Sequence, residues 1–428
     1  MVLGNMLASE ALPGALPREQ NNPQICPYGL YAEQLNISSF TKARALNRFA
    51  WLYRTLPSAA LRTTKFSPLS LAMTEDAQSL QVDPEPGRWG PFAPGNVAEV
   101  DFIRGLRVVA GAGNPSMCEG LRICMYAFAQ PMDSTAFSSA DGDWLIVPQH
   151  GTLRIRTEFG VLDVEPTHIA VIPRMVRFSV SSMGGEARGY CVEVFNEGGF
   201  RLPELGPLGA NGLANPAHFQ APQASVLARA ANDNGDAWTH VFKAGDRAFE
   251  ARGLCPFNVA AWKGSLFPVS YDLKRFTAVN SVSVDHSDPS IFTVLSVASA
   301  MPGTSACDFV VFPHRWMVAE HTFRPPFFHQ NVMSEFMGLI NGEYDGKKQG
   351  FLPGGMSLHA RGTPHGPDVG VFEQATKAKL EPHYFAGGLA FMFETCFHLA
   401  VSAAFRAGQA REVDYRVNAW GGFAEAKL

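Results

Sequence analysis

Forty glycines and thirty prolines, spread from one end of the chain to the other, leave few stretches long enough for a regular helix. What they do leave is short segments closed by turns, and one region shows how such segments fold. In "DWLIVPQHGTLRIRTEFGVLDVEPTHIAVIPRMVRFSV" (143–180), Leu153 and Ile155 alternate with Arg154 and Arg156, and Ile169 and Val171 follow the same period. A period of two is that of a half-buried strand, and its repetition between turn residues indicates an antiparallel sandwich or barrel. At 428 residues the chain exceeds one ordinary core. The reading is therefore mainly β, with few helices and two β-rich halves, 1–280 and 281–428.

The Pro-rich first hundred residues, as in "VDPEPGRWGPFAPGN", are expected to wrap a core built elsewhere. A loop is expected over "LPELGPLGANGLANPAHF" (202–219), a helix somewhere in "DAWTHVFKAGDRAFEARG" (236–253), and a packed strand or helix in "GGLAFMFETCFHLAVSAAF" (387–405). The last is broken by Glu394 and His398, which argues against a membrane span.

Charge narrows the partners. Charged residues make up 17%, the formal net charge is −4, and no basic run stands out, so neither nucleic acid nor an anionic membrane is the expected partner. Seven cysteines without a CxxC pair read as reduced thiols of a cytoplasmic protein. The first residues show no basic leader followed by an unbroken apolar run, so no secretory signal is expected.

Chemistry collects late in the chain. Eight of the twelve histidines lie at or after position 286. "HQNVMSE" sets His329 and Glu335 six residues apart, about 20 Å on a straight strand and about 9 Å along a helix, on different sides of the helix. Neither regular element lets both reach one small object, so convergence requires a strand end leading into a turn. Glu335 is followed by the apolar "FMGLI", and a buried carboxylate is costly unless paired or bound to metal. A histidine from "SLHARGTPHG" would complete a set of two imidazoles and one carboxylate, the donor set of non-haem Fe(II) oxygen chemistry. No cysteine lies close by, which disfavours a thiolate zinc site. Spacing leaves His359 and His365 as alternatives, although Pro364 stiffens the loop that presents His365. His286, between Asp285 and Asp288, reads either as part of a turn or as a general base. Tyr344, in the Gly-rich "NGEYDGKKQG", has a hydroxyl able to fix a polar group of a substrate.

These segments also carry a resemblance. "FRPPFFHQNVMSEFMGLINGEYDGKKQGFLPGGMSLHARGTPHGPD" (323–368) and "DHSDPSIFTVL" (285–295) resemble the signature regions of the homogentisate 1,2-dioxygenase family. "GALPREQNNPQICPYGLYAEQL", "WLYRTLPS", "LIVPQHGTLRIRTEFG" and "LGPLGANGLANP" match it in order, so the likeness covers nearly the whole chain. The segment before "PGALP" keeps little of the family's "GFGNE"-like start.

The resemblance implies a cupin-like, jelly-roll β architecture and a homohexamer built as a dimer of trimers. It implies cleavage of the ring of homogentisate by O2 to 4-maleylacetoacetate, in tyrosine and phenylalanine catabolism. Fe(II) would be held by His329, Glu335 and His365, and His286 would be the proton acceptor. Tyr344 and His365 would contact the substrate, and His359 would be a neighbour in the pocket. The N-terminal half would be a structural, degenerate cupin-like unit without a metal set.

Overall fold

Leu153–Thr157 and Gly160–Val164 are strands of the kind their alternation requires: Leu153, Ile155, Leu162 and Val164 face the core while Arg154 and Asp163 face solvent. The two strands pair with Arg154 opposite Asp163, joined by two hydrogen bonds of 2.8 Å. The computed structural model describes residues 6–203, 213–227, 237–279, 283, 289–347, 350–408 and 410–426. Most of the loop expected at 202–219, and the turn reading of "VDHSDPS", lie outside these residues.

Among the described residues the molecule is mainly β, as its sequence indicates, and three large sheets form its body. An eight-stranded sheet lies at the centre. Its strands Glu119–Phe128, Asp143–His150 and Ala187–Val194 are buried almost throughout, because both of their faces are covered. On one face Trp144 meets Phe137 of a seven-stranded sheet edge-on, at 5.6 Å between rings. On the other, Tyr190 donates a hydrogen bond to the Gly355 carbonyl (2.7 Å) and packs against Phe391 of a six-stranded sheet.

That six-stranded sheet positions the site. It runs Thr293–Ala298, Ser305–Phe312, Gly388–Thr395, Ser334–Gly342, Met356–His359 and Gly87–Trp89, antiparallel throughout. Its edge strand comes from the Pro-rich first hundred residues, which also supply three strands of a four-stranded sheet and so are less irregular than their composition suggests. In return, Ala400–Val401 pairs with Leu106–Asn114 in the central sheet. The stretch left open between strand and helix contains a strand, Gly388–Thr395.

One expectation fails. "DAWTHVFKAGDRAFEARG" holds no helix but two strands, Trp238–Ala244 and Arg247–Gly253, paired as a hairpin. Gly245 and Asp246 at its turn have φ of +62° and +56°, the backbone that a two-residue hairpin turn requires.

Two groups of charges buried between the sheets are paired. Lys243, 2% exposed, sends its ammonium to Asp141 (2.5 Å), Glu193 (2.9 Å) and Asp246 (3.0 Å). Arg54, 1% exposed, meets Glu158 (2.6 Å) and Glu33 (2.8 Å), and Arg177 also meets Glu158 (2.9 Å). Burial alone would raise the Glu158 pKa, but Arg54 and Arg177 outweigh it and hold the carboxyl below its usual value. A depressed folded-state pKa contributes stability that is complete above the unfolded value and is lost as pH falls through the folded one. The urea midpoint is therefore expected to fall as pH drops below about 4, the ordinary glutamate range. A midpoint unchanged down to about pH 3 would mean that this pair is not coupled to folding.

None of the seven cysteines forms a disulfide. Among the described residues, no helix is long and apolar enough to cross a membrane.

Candidate metal centre

The awkward spacing of His329 and Glu335 is resolved at the start of the strand Ser334–Gly342. Glu335 is its second residue, 6% exposed, with Glu394 opposite on one neighbouring strand and His359 on the other. His329 precedes the strand and is not in line with it. Its N–H donates to the His365 carbonyl (2.9 Å) and its carbonyl accepts from the His365 N–H (3.0 Å), so the two residues form a one-rung antiparallel bridge. The chain between them turns at Asn331. Its side-chain oxygen accepts from the Met333 N–H (2.7 Å), and its carbonyl accepts from the Gly362 N–H (2.9 Å).

As a result His329, Glu335 and His365 each bring a donor atom within 4.8 Å of the others. His329 Nε2 lies 3.3 Å from Glu335 Oε1, and His365 Nε2 lies 3.0 Å from Oε2. Asn331 donates its amide to Oε1 at 2.7 Å. The far sides of both rings are also fixed: Nδ1 of His329 contacts the Phe327 carbonyl (2.8 Å), and Nδ1 of His365 contacts the Thr363 carbonyl (2.9 Å).

These contacts test whether a metal fits. A carbonyl oxygen only accepts, so each Nδ1 carries the hydrogen, and a ring holding no second proton turns the Nε2 lone pair toward the carboxylate. Two lone pairs facing a buried anion at 3.0–3.3 Å repel unless a proton or a cation stands among them. A divalent cation removes that repulsion for all three donors at once, and the backbone contacts at Nδ1 are the outer support of metal-ligating histidines. Without a metal the conflict falls to protons. Hydrogen bonding to Glu335 raises the His329 pKa, and burial of Glu335, which alone would raise its pKa, is outweighed by both histidines.

Of His359 and His365, it is His365 whose donor atom joins this cluster. His359 stands directly across the sheet from Glu335, yet its Nε2 is taken by the Tyr415 hydroxyl at 3.2 Å. Its ring lies flat against His365, centroids 4.1 Å apart and planes within 2°. Burial, followed by the nearby charge of Lys347, pushes its pKa well down, so it is a neutral ring behind His365.

The matches with known proteins cover this site and the rest of the chain. The N-terminal model of homogentisate 1,2-dioxygenase matches residues 2–273, and the C-terminal model matches 274–427. The homogentisate 1,2-dioxygenase of Dictyostelium discoideum is 48% identical over 401 residues, covering 93% of this chain and 91% of that protein. The human enzyme of that name is 48% identical over 406 residues (93% and 90%), and that of Drosophila melanogaster 49% over 399 (92% and 89%). The chain belongs to the homogentisate 1,2-dioxygenase family. Among solved structures, a putative dioxygenase from Nostoc punctiforme is similar at a TM-score of 0.31 and 10% identity, covering 83% of this chain and 92% of that one.

As a member of the homogentisate 1,2-dioxygenase family, the chain has two further residues singled out from its sequence. Tyr344 is buried where the chain leaves the strand Ser334–Gly342, with its ring between Phe312 and Phe351. Burial, then the charge of Asp345, raises its pKa well above the usual value, so its hydroxyl keeps its proton. His286 lies outside the described residues. Sequence reasoning missed Asn331, although its place four residues before Glu335, within "HQNVMSE", was a usable signal. It also missed Tyr415, on the helix Tyr415–Trp420, which reaches His359 only through the tertiary fold.

Proposed function

We propose that the chain opens the aromatic ring of homogentisate with O2 to give 4-maleylacetoacetate, in tyrosine and phenylalanine catabolism, with Fe(II) held by His329, Glu335 and His365. The observation that carries this reading is the convergence of the His329 and His365 Nε2 atoms on one buried carboxylate, in a member of this family. Two imidazoles and a carboxylate suit Fe(II), which supplies a centre where a phenolate and O2 meet. Both oxygen atoms of O2 end in the product and the substrate ring supplies the electrons, so no separate reductant is needed.

The chain's own residues do the rest. His286 accepts the proton of the ring hydroxyl that turns toward the metal, a role that rests on the family resemblance. Tyr344, neutral and wedged between rings, orients the substrate through its hydroxyl. His365 meets the substrate on its exposed edge, held from behind by His359. A metal held by His329, Glu335 and His365 would supply one centre for both reactants, so that proximity would replace an improbable encounter. His286→Ala is expected to lower kcat by roughly 100-fold or more and to leave bound Fe(II) unchanged, measured by turnover and metal analysis. Equal loss of iron would make His286 a ligand instead.

The same reading takes the chain to be a cytoplasmic homohexamer, a dimer of trimers, with 1–280 as a structural half and 281–428 as the iron-bearing one. Cysteines free of disulfides support the location. Exposed Phe327, Phe328 and Val332 beside His329 support burial of that face by another copy.

The deciding experiment is oxygen uptake by protein loaded anaerobically with Fe(II), given homogentisate and then gentisate. One O2 consumed per homogentisate, with maleylacetoacetate formed and little uptake with gentisate, is the expected result. Bound iron without uptake on either would overturn the substrate.

A further inference from the structure

Lys347 is 7% exposed, and its ammonium donates to Ser357 Oγ at 3.1 Å. Its other neighbours are aromatic faces, Phe351 at 5.6 Å and Tyr415 at 5.5 Å. Among the described residues no carboxylate is within ion-pair distance of it, in contrast to Lys243, which has three. The acids whose charge reaches Lys347 are committed elsewhere. Glu412 pairs with Arg88, Asp368 accepts from the Val371 N–H at the start of its helix, and Glu335 faces the two histidines. A buried ammonium without a counter-ion is costly, and none of the contacts among the described residues neutralises this one.

Its placement points to what it serves. Lys347 ends the turn that Tyr344 begins, its N–H donating to the Tyr344 carbonyl at 3.2 Å. Both side chains reach the ring of Phe351. Ser357 is two residues before His359 on one strand, so both project from one face, and Glu335 stands opposite His359 on that face. The ammonium bonded to Ser357 therefore sits about one pleat repeat, on the order of 7 Å, from the row that holds the metal-binding carboxylate. An aromatic ring with a carboxymethyl arm spans a gap of that order.

We propose that Lys347 receives the carboxylate of the substrate's carboxymethyl arm and sets the preference for an acidic hydroquinone over a neutral one. The inference rests on the function proposed above. Burial, then the charge of Arg88, lowers the Lys347 pKa to about 7, which is the cost that a bound carboxylate removes. Ser357 aims the ammonium, and the rings of Phe351 and Tyr415 keep water from competing for it.

The test compares homogentisate with methylhydroquinone, the same ring with a methyl group in place of the acidic arm. Lys347→Met is expected to lower kcat/KM for homogentisate by roughly 10- to 100-fold, the scale of a lost charged hydrogen bond. Turnover of methylhydroquinone should stay within about twofold of wild type, since that substrate offers Lys347 no acceptor. Anaerobic calorimetry should show homogentisate affinity falling in parallel, with Fe(II) content unchanged. Because Met removes an unpaired charge, the variant should also be no less stable to urea than wild type. Lys347→Arg, which keeps the charge, should retain part of the preference. Equal losses on both substrates, or an unchanged preference in both variants, would overturn the proposal. Wild-type protein that consumes methylhydroquinone but not homogentisate would overturn the proposed function and this assignment with it.

Discussion

Glu335→Ala is expected to leave the chain folded while removing both bound Fe(II) and oxygen uptake. Loss of a residue that merely supports a ligand weakens metal binding 10- to 100-fold, so removing the carboxylate that both histidines face should exceed about 100-fold. Folding should survive because the substitution leaves no unpaired charge: the rings of His329 and His365 stay hydrogen-bonded to backbone through Nδ1. Only the Asn331 amide loses its acceptor, a cost of about 1 kcal/mol. Metal analysis after anaerobic loading, with a urea titration beside it, separates the two effects. A variant that kept its iron would move the carboxylate ligand elsewhere, with Glu394 on the adjacent strand the first place to look.

Lys243→Met is expected to have the largest effect on stability, about 3–5 kcal/mol, the usual cost of breaking a buried charge pair by removing one partner. Burial alone would lower the Lys243 pKa, but Glu193, Asp246 and Asp141 outweigh it and raise it. Without the ammonium those carboxylates face one another between the central and seven-stranded sheets, and among the described residues only Asp246 has a second ion-pair partner, Arg122 at 2.6 Å. The urea midpoint should drop accordingly, while the metal site on the other side of the central sheet keeps its affinity. A midpoint equal to that of wild type would mean that the carboxylates take up protons at little cost.

Much of this was legible before the fold was known. The alternation at 153–156 fixed which side chains face inward because the strand period is two, and no other regular structure matches it. Glu335 stood out because a carboxylate before an apolar run must be satisfied wherever it is buried. The helix expected in 236–253 was misread because alanine and aromatic residues suit either element at that length. The "GD" at 245–246, which supplies two residues of positive φ, was the better guide.

The sequence by itself determined the fold class and the kind of donors that gather in the last third of the chain, since both follow from residue type and local period. Only the tertiary structure decided which donors meet. His359 and His365 are alike in composition and close in sequence, and what separates them is the hydroxyl of Tyr415, fifty-six residues beyond His359. Likewise nothing local marks Lys347 as an ammonium without a counter-ion. That follows from Glu335, Asp368 and Glu412, the neighbouring acids among the described residues, each being held by another partner, and pairing of buried charges is a property of three-dimensional packing, where each group has room for few neighbours.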